Sequence, residues 1–143
     1  MHSGEKSILV VDDDRTVLLV FKEILASQGY SVDTAETGTE AIEKSKTQYY
    51  NLALLDIRLP DMSGTELLTK MHEARPNLVK IMVTGYSSLD YAIEAVNKGA
   101  DAFLTKPVKP DSLLKVVKEK LREQEEADGK TREKATKYIE TCI

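Results

Sequence analysis

The chain has 143 residues, 41% of them hydrophobic and 31% charged, with a formal net charge of −4. That length fits one domain burying roughly 70% of its unfolded surface, and the mildly acidic balance argues against direct binding to nucleic acid or anionic membranes. One cysteine, Cys142, excludes an internal disulfide; the polar start "MHSGEKS" has no secretion-signal core and no apolar run could span a bilayer, so a soluble cytoplasmic protein is expected.

Apolar runs alternate with helix-period segments along the chain. "SILVV" (Ser7–Val11) reads as a buried strand and leads into "DDDRTV", where three adjacent carboxylates repel one another. Val17, Phe21, Ile24 and Leu25 follow at helical spacing, and Gly29 is a suitable stop. "SVDTAE" is a more polar strand that belongs nearer a sheet edge. Thr37 and Glu40 then have capping-box spacing. "NLALLD" is unbroken apolar and reads as a strand buried on both faces. Ser63 and Glu66 repeat the capping-box spacing ahead of Leu67, Leu68 and Met71.

"VKIMVT" is a fourth strand. Leu89, Ala92, Ile93 and Val96 form a helical stripe that ends at Gly99, and "DAFLT" is a fifth strand. Pro110 suits the first position of a helix carrying Leu114, Val117 and Leu121 inward. Five strand–helix units in strict alternation predict a parallel sheet with helices on both faces, because right-handed crossovers place them there. After Leu121 the composition turns polar in "REQEEADGKTREK". Residues 126–143 read as a C-terminal extension, either a frayed or truncated linker or a short extra helix with Ala135, Tyr138, Ile139 and Cys142 on one stripe.

Sites on open α/β sheets form at the carboxyl ends of the strands. Those ends carry Asp12, Asp13 and Asp14 after the first strand, Asp56 on the third, Thr84-Gly85 on the fourth and Lys106-Pro107 on the fifth. Two bare charges about 4 Å apart repel by about 4 kcal/mol at an effective dielectric near 20, so such a cluster raises a pKa or takes a cation. Carboxylates, a carbonyl and water suit Mg²⁺. A lysine opposite supplies a charge for a phosphate-like group, and a threonine hydroxyl one directed hydrogen bond. These are the parts of a phosphoryl-transfer site with an aspartate nucleophile. Singly, each has a plainer reading. Asp14 is a helix N-cap, Asp56 a turn residue, Lys106 solvated, Phe103 core.

In the order "ILVVDDD", "LLDIRLPDMSG", "IMVTGYSS", "GADAFLTKP", the chain resembles the receiver domain of two-component response regulators, from about Ser7 to Leu121. The resemblance implies a flavodoxin-like, doubly wound (βα)5 fold with a five-stranded parallel sheet in the order 2-1-3-4-5, and a receiver unit over residues 5–125. It makes Asp56 the phosphoryl acceptor. Asp13 ligates Mg²⁺ directly, Asp12 mostly through water, and the Arg58 carbonyl completes the set. Thr84 and Lys106 bind the phosphoryl group, and Thr84 and Phe103 form the switch. Lys106-Pro107 is expected to be cis. A sensor histidine kinase is the implied donor. The face made by the fourth helix, fifth strand and fifth helix is implied to control a downstream protein or an output domain and to support a homodimer. Such a domain is not an enzyme beyond its own phosphorylation and dephosphorylation.

Arg58 and Tyr86 lie two residues past Asp56 and Thr84. They either shield the acyl phosphate from water or are solvated, while Gly85 leaves the site open to a donor. Two alternatives compete with this reading. "DDDRTV" also fits the opening of haloacid-dehalogenase-type phosphatases, with Asp12 as nucleophile and Asp14 as acid/base. That family needs a later acidic pair after a strand, absent here, and leaves "DIRLPDMSG" without a role. The other alternative is a receiver-like module that binds partners and is never phosphorylated.

Overall fold

The computed structural model describes residues 5–85 and 88–142. In chain order the elements are β1 (Ser7–Val11), α1 (Arg15–Ala26), β2 (Ser31–Ala35), α2 (Gly38–Thr47), β3 (Leu52–Asp56), α3 (Gly64–Ala74), β4 (Val79–Thr84), α4 (Leu89–Asn97), β5 (Ala102–Thr105) and α5 (Pro110–Cys142). The five strands form one parallel sheet in the order β2-β1-β3-β4-β5, the expected doubly wound flavodoxin-like arrangement. β3 and β4 are buried at every position, whereas the polar β2 lies at an edge.

Alternate residues of the central strands feed two cores. Leu9, Ala53, Leu55 and Met82 face α2, α3 and α4, while Ile8, Val10, Leu54 and Ile81 face α1 and α5. A fully buried leucine contributes about 1.5–3 kcal/mol relative to exposure. The starts of α1 to α4 are each fixed by a side chain. Asp14 caps α1 by accepting from Thr16 N and Val17 N, and Thr37, Ser63 and Ser88 cap α2, α3 and α4. Gly29 and Gly99 take positive φ values of 90° and 109° after α1 and α4, a conformation that other residues adopt at a cost.

Two helices add detail to the sequence reading. The apolar stripe of α4 points outward, with Leu89, Ile93 and Val96 exposed by 76%, 49% and 62%; only Ala95 is buried. The last helix does not stop near Leu121. α5 runs unbroken to Cys142, so residues 126–142 continue the last helix rather than forming a separate one. Its inward contacts are Leu113, Val117 and Leu121, with Leu114 only partly covered. The Gln124 amide then donates to Asn51 O (3.0 Å) and Asn77 O (2.9 Å), fastening the helix to the amino-end rim of the sheet.

From Glu125 through Thr141 every residue is exposed. That overhang extends roughly 26 Å at 1.5 Å per residue. Pairs one turn apart, Arg122–Glu126 and Glu133–Lys137, support a helix that has no core to pack on. Among the described residues no helix is long and apolar enough to cross a membrane.

Candidate functional site

The register of the sheet assembles the site. Val11 on β1 is level with Leu55 on β3, so Asp12, the next residue, comes level with Asp56. Asp56 is level with Val83 on β4, and Thr84 with Thr105 on β5, so Thr84 and Lys106 emerge one step further out on the same edge. Lys106 N donates to Thr84 O at 2.6 Å, tying the exits of β4 and β5 together, and the Lys106-Pro107 bond is cis as expected. A cleft of about 530 Å³ results, lined by Asp13, Asp56, Ile57, Arg58, Thr84, Gly85 and Lys106.

Three carboxylates converge beside this cleft. One oxygen each from Asp12, Asp13 and Asp56 lies within 4.8 Å of the others. Asp12 and Asp56 are buried, while Asp13 is exposed to an incoming ligand. Hard oxygen donors from the ends of β1 and β3, one of them open to solvent, suit Mg²⁺. Asp14 does not belong to the cluster. Its carboxylate is occupied with the amides of α1 and lies outside the acidic group. The run of three aspartates thus divides into two site residues and one cap.

Lys106 offsets part of the repulsion. Its ammonium donates to Asp12 Oδ2 at 2.9 Å and stands 3.5 Å from Asp56 Oδ1. Burial pulls the Lys106 pKa down, but Asp12 and then Asp56 outweigh it and hold the ammonium above its ordinary value. Asp56 is raised above the ordinary carboxylate range, first by burial and then by the negative charge of Asp12, against the opposing pull of Lys106. A desolvated carboxylate of raised basicity is a stronger nucleophile than one in water. The Lys106–Asp12 bond was not readable from the sequence, where no pattern relates residues 94 positions apart.

The remaining candidates fall at or beside the cleft. Thr84 is buried at the end of β4. Gly85 is exposed, and among the described residues a Cβ there would meet nothing within 4 Å. Arg58 is exposed on the cleft wall. Phe103 stands deeper, level with Met82 on β4, and packs on the core. Tyr86 lies outside the described residues.

Asp61 carries a contact that sequence reasoning missed. Its carboxylate accepts from Gly38 N, Thr39 N and Thr39 Oγ1 at 2.9, 2.8 and 2.6 Å, pinning the loop after Asp56 to the start of α2. Those bonds, led by the Thr39 hydroxyl, hold its pKa down at about 2. An acidic residue shortly before Ser63 is no signal by itself, since its partner lies 23 residues away.

Comparison with known proteins agrees with this geometry. The family described as the response regulator receiver domain matches residues 8–118. A CheY-like receiver domain protein from Methanospirillum hungatei JF-1 is 52% identical, with a TM-score of 0.85, over 87% of this chain and 99% of that one. The response regulator TrrA from Thermotoga maritima, solved in complex with Mg(2+)-BeF, is 35% identical with a TM-score of 0.74, over 80% of this chain and 98% of that one. The transcriptional regulatory protein ZraR of Klebsiella oxytoca is 38% identical over 120 residues, which are 83% of this chain but 27% of that protein. This chain therefore spans about a quarter of that regulator's length. With the sheet order, the acidic cluster and the family match in agreement, the phosphatase reading and that of a receiver-like module never phosphorylated are not favoured. The chain belongs to the response regulator receiver domain family.

Proposed function

We propose that the domain accepts a phosphoryl group on Asp56 from a histidine of a sensor kinase in a Mg²⁺-dependent reaction. The convergence of Asp12, Asp13 and Asp56 on one point beside the Lys106 ammonium carries this reading. Asp12, Asp13, Asp56 and the Arg58 carbonyl would hold the Mg²⁺, which supplies charge neutralisation on phosphoryl oxygens. An Asp56 oxygen attacks phosphorus in line with the donor nitrogen. The O–P bond forms as the P–N bond breaks, and the electron pair stays on the imidazole. Lys106 exchanges part of its contact with Asp12 for a phosphoryl oxygen, and the Thr84 hydroxyl donates to another. The protein catalyses only this transfer onto itself and the later hydrolysis, and Arg58 at the cleft wall slows access of water.

The donor has a natural seat. An apolar groove of about 440 Å³, lined by Val17, Val20, Phe21, Lys106, Pro107 and Val108, adjoins the site through Lys106 itself. A helical surface of the kinase bearing its histidine fits there. On the other side of the site, the exposed Leu89, Ile93 and Val96 of α4 support the α4–β5–α5 face as the surface read by a downstream protein, an output domain or a second copy. Phosphorylation biases that face between two arrangements through Thr84 and Phe103.

Titration with beryllofluoride, with and without Mg²⁺, tests the reading. Saturable binding that requires Mg²⁺ and is lost in Asp56→Asn is expected, and sedimentation of the same samples reports self-association. Binding that survives in Asp56→Asn but fails in Asp12→Asn would transfer the acceptor role to Asp12.

A further inference from the structure

The chain between Asp56 and α3 is tied down at both its base and its tip. At the base, Gly64 N donates to Ile57 O at 2.6 Å, beside an isolated antiparallel pairing of Arg58 with Ser63. A bond that flanks the pair in this way makes it the non-hydrogen-bonded kind, so the pairing does not use the Arg58 carbonyl. A Cβ on Gly64 would stand 2.6 Å from both the Asp56 carbonyl oxygen and Ile57 Cα. The start of α3 is thus pressed against the backbone of the acceptor.

At the tip, the Asp61 carboxylate meets the first turn of α2. It accepts from Gly38 N and Thr39 N, and from Thr39 Oγ1 at 2.6 Å, and a negative charge is favoured at a helix N-terminus. The Met62 side chain lies over the same turn, since a Cβ on Gly38 would stand 2.5 Å from its Cγ and Sδ. Leu59 and Met62 also pack on the core that faces α2 and α3. Arg58 belongs to this anchored loop and lines the cleft with Asp13 and Asp56.

We propose that Asp61 is a positioning residue of the metal site, holding the loop of residues 57–64 to α2 so that the Arg58 carbonyl is in place before Mg²⁺ arrives. This rests on the Mg²⁺-dependent reading above. Mg²⁺ accepts little departure from octahedral geometry. A carbonyl on a loose loop has to be ordered as the ion binds, which lowers the apparent affinity by the fraction of time the loop is in place. Groups behind the ligands carry a measurable share of metal affinity for this reason. Linkage makes the effect reciprocal, so bound Mg²⁺ in turn holds the Asp61 contacts closed.

Calorimetric Mg²⁺ titration compares the wild type with Asp61→Ala, Asp61→Asn and Thr39→Val. Gln124→Ala, which loosens the opposite rim of the sheet, controls for lost stability. Asp61→Ala is expected to weaken Mg²⁺ binding about three- to tenfold. Asp61→Asn weakens it less, because its carbonyl oxygen still accepts. Thr39→Val also weakens it less, because Gly38 N and Thr39 N still donate, and it keeps the comparison decisive if Asp61→Ala does not fold. Gln124→Ala lowers Tm and leaves Mg²⁺ affinity unchanged. In the wild type, saturating Mg²⁺ slows hydrogen exchange of the Gly38 and Thr39 amides by at least the factor that Asp61→Ala loses in affinity.

Unchanged Mg²⁺ affinity in the Asp61 and Thr39 variants, with a lowered Tm, would mean a purely structural clamp and overturn the proposal. Equal weakening in Gln124→Ala would trace the effect to general instability and do the same. So would exchange at Gly38 and Thr39 that ignores Mg²⁺. A wild type that binds no Mg²⁺ is a different failure: the metal reading itself falls, and this proposal with it.

Discussion

Lys106 Nζ is bonded to Asp12 Oδ2 at 2.9 Å, across 94 residues of sequence, and stands 3.5 Å from Asp56. The lysine thus occupies part of the charge field that a metal ion would share. Removing it leaves three carboxylates with no cation. Lys106→Ala is expected to tighten Mg²⁺ binding several-fold, because a competing charge has gone, and to abolish stable phosphorylation. Calorimetric Mg²⁺ titration checks the first part, and weaker Mg²⁺ binding in the variant would contradict it.

Asp56 is raised above the ordinary 3.8 by burial and by Asp12. The folded state then holds the proton more tightly than the unfolded chain. This favours folding below the unfolded pKa, and the advantage is lost as pH rises through the folded value. At neutral pH the ionised carboxylate therefore destabilises the Mg²⁺-free protein. Asp56→Asn is expected to raise the neutral-pH Tm by a few degrees and to flatten the pH dependence of Tm in the acidic range. Thermal melts across pH without Mg²⁺ measure both.

The aspartates at 12–14 separate by assay. Asp13, exposed and in the metal cluster, is expected to be indispensable, so Asp13→Ala should lose Mg²⁺-dependent phosphorylation with little change in fold stability. Asp14, the α1 cap, behaves the other way. Asp14→Ala should cost about 1 kcal/mol in denaturant unfolding and keep the activity.

Asp61 provides a pH signature outside the site. Its carboxylate, held at about 2 by Thr39 and two amides, contributes stability present above the unfolded value and lost as pH falls through about 2. Thr39→Val should move its titration midpoint, followed by carboxyl NMR, up towards the ordinary value. The shift is expected to be partial, because Gly38 N and Thr39 N still donate.

Much of this was legible in the sequence because it is local. Strand ends, caps at Asp14, Thr37 and Ser63, and glycine stops at Gly29 and Gly99 depend on residues a few positions apart. The site residues were legible because the carboxyl ends of parallel strands share one edge. The Lys106–Asp12 bond, the Asp61 clamp and the Gln124 clamp each join distant segments by side chains. No periodicity records such contacts. The course of the tail was left open for another reason. Its polar composition gives no inward-facing stripe to mark a helix, yet acid–base pairs one turn apart and the absence of proline let α5 continue, with Gly129 costing about 1 kcal/mol.

The central claim is that Asp56, and none of the three aspartates before α1, takes the phosphoryl group. Incubation with a small-molecule phosphodonor and Mg²⁺, followed by peptide mass spectrometry, addresses it directly. The expected result is a single acid-stable, base-labile phosphoryl group on the peptide containing Asp56, absent without Mg²⁺ and absent in Asp56→Asn. A phosphoryl group on the Asp12–Asp14 peptide, or none under any condition, would contradict the account.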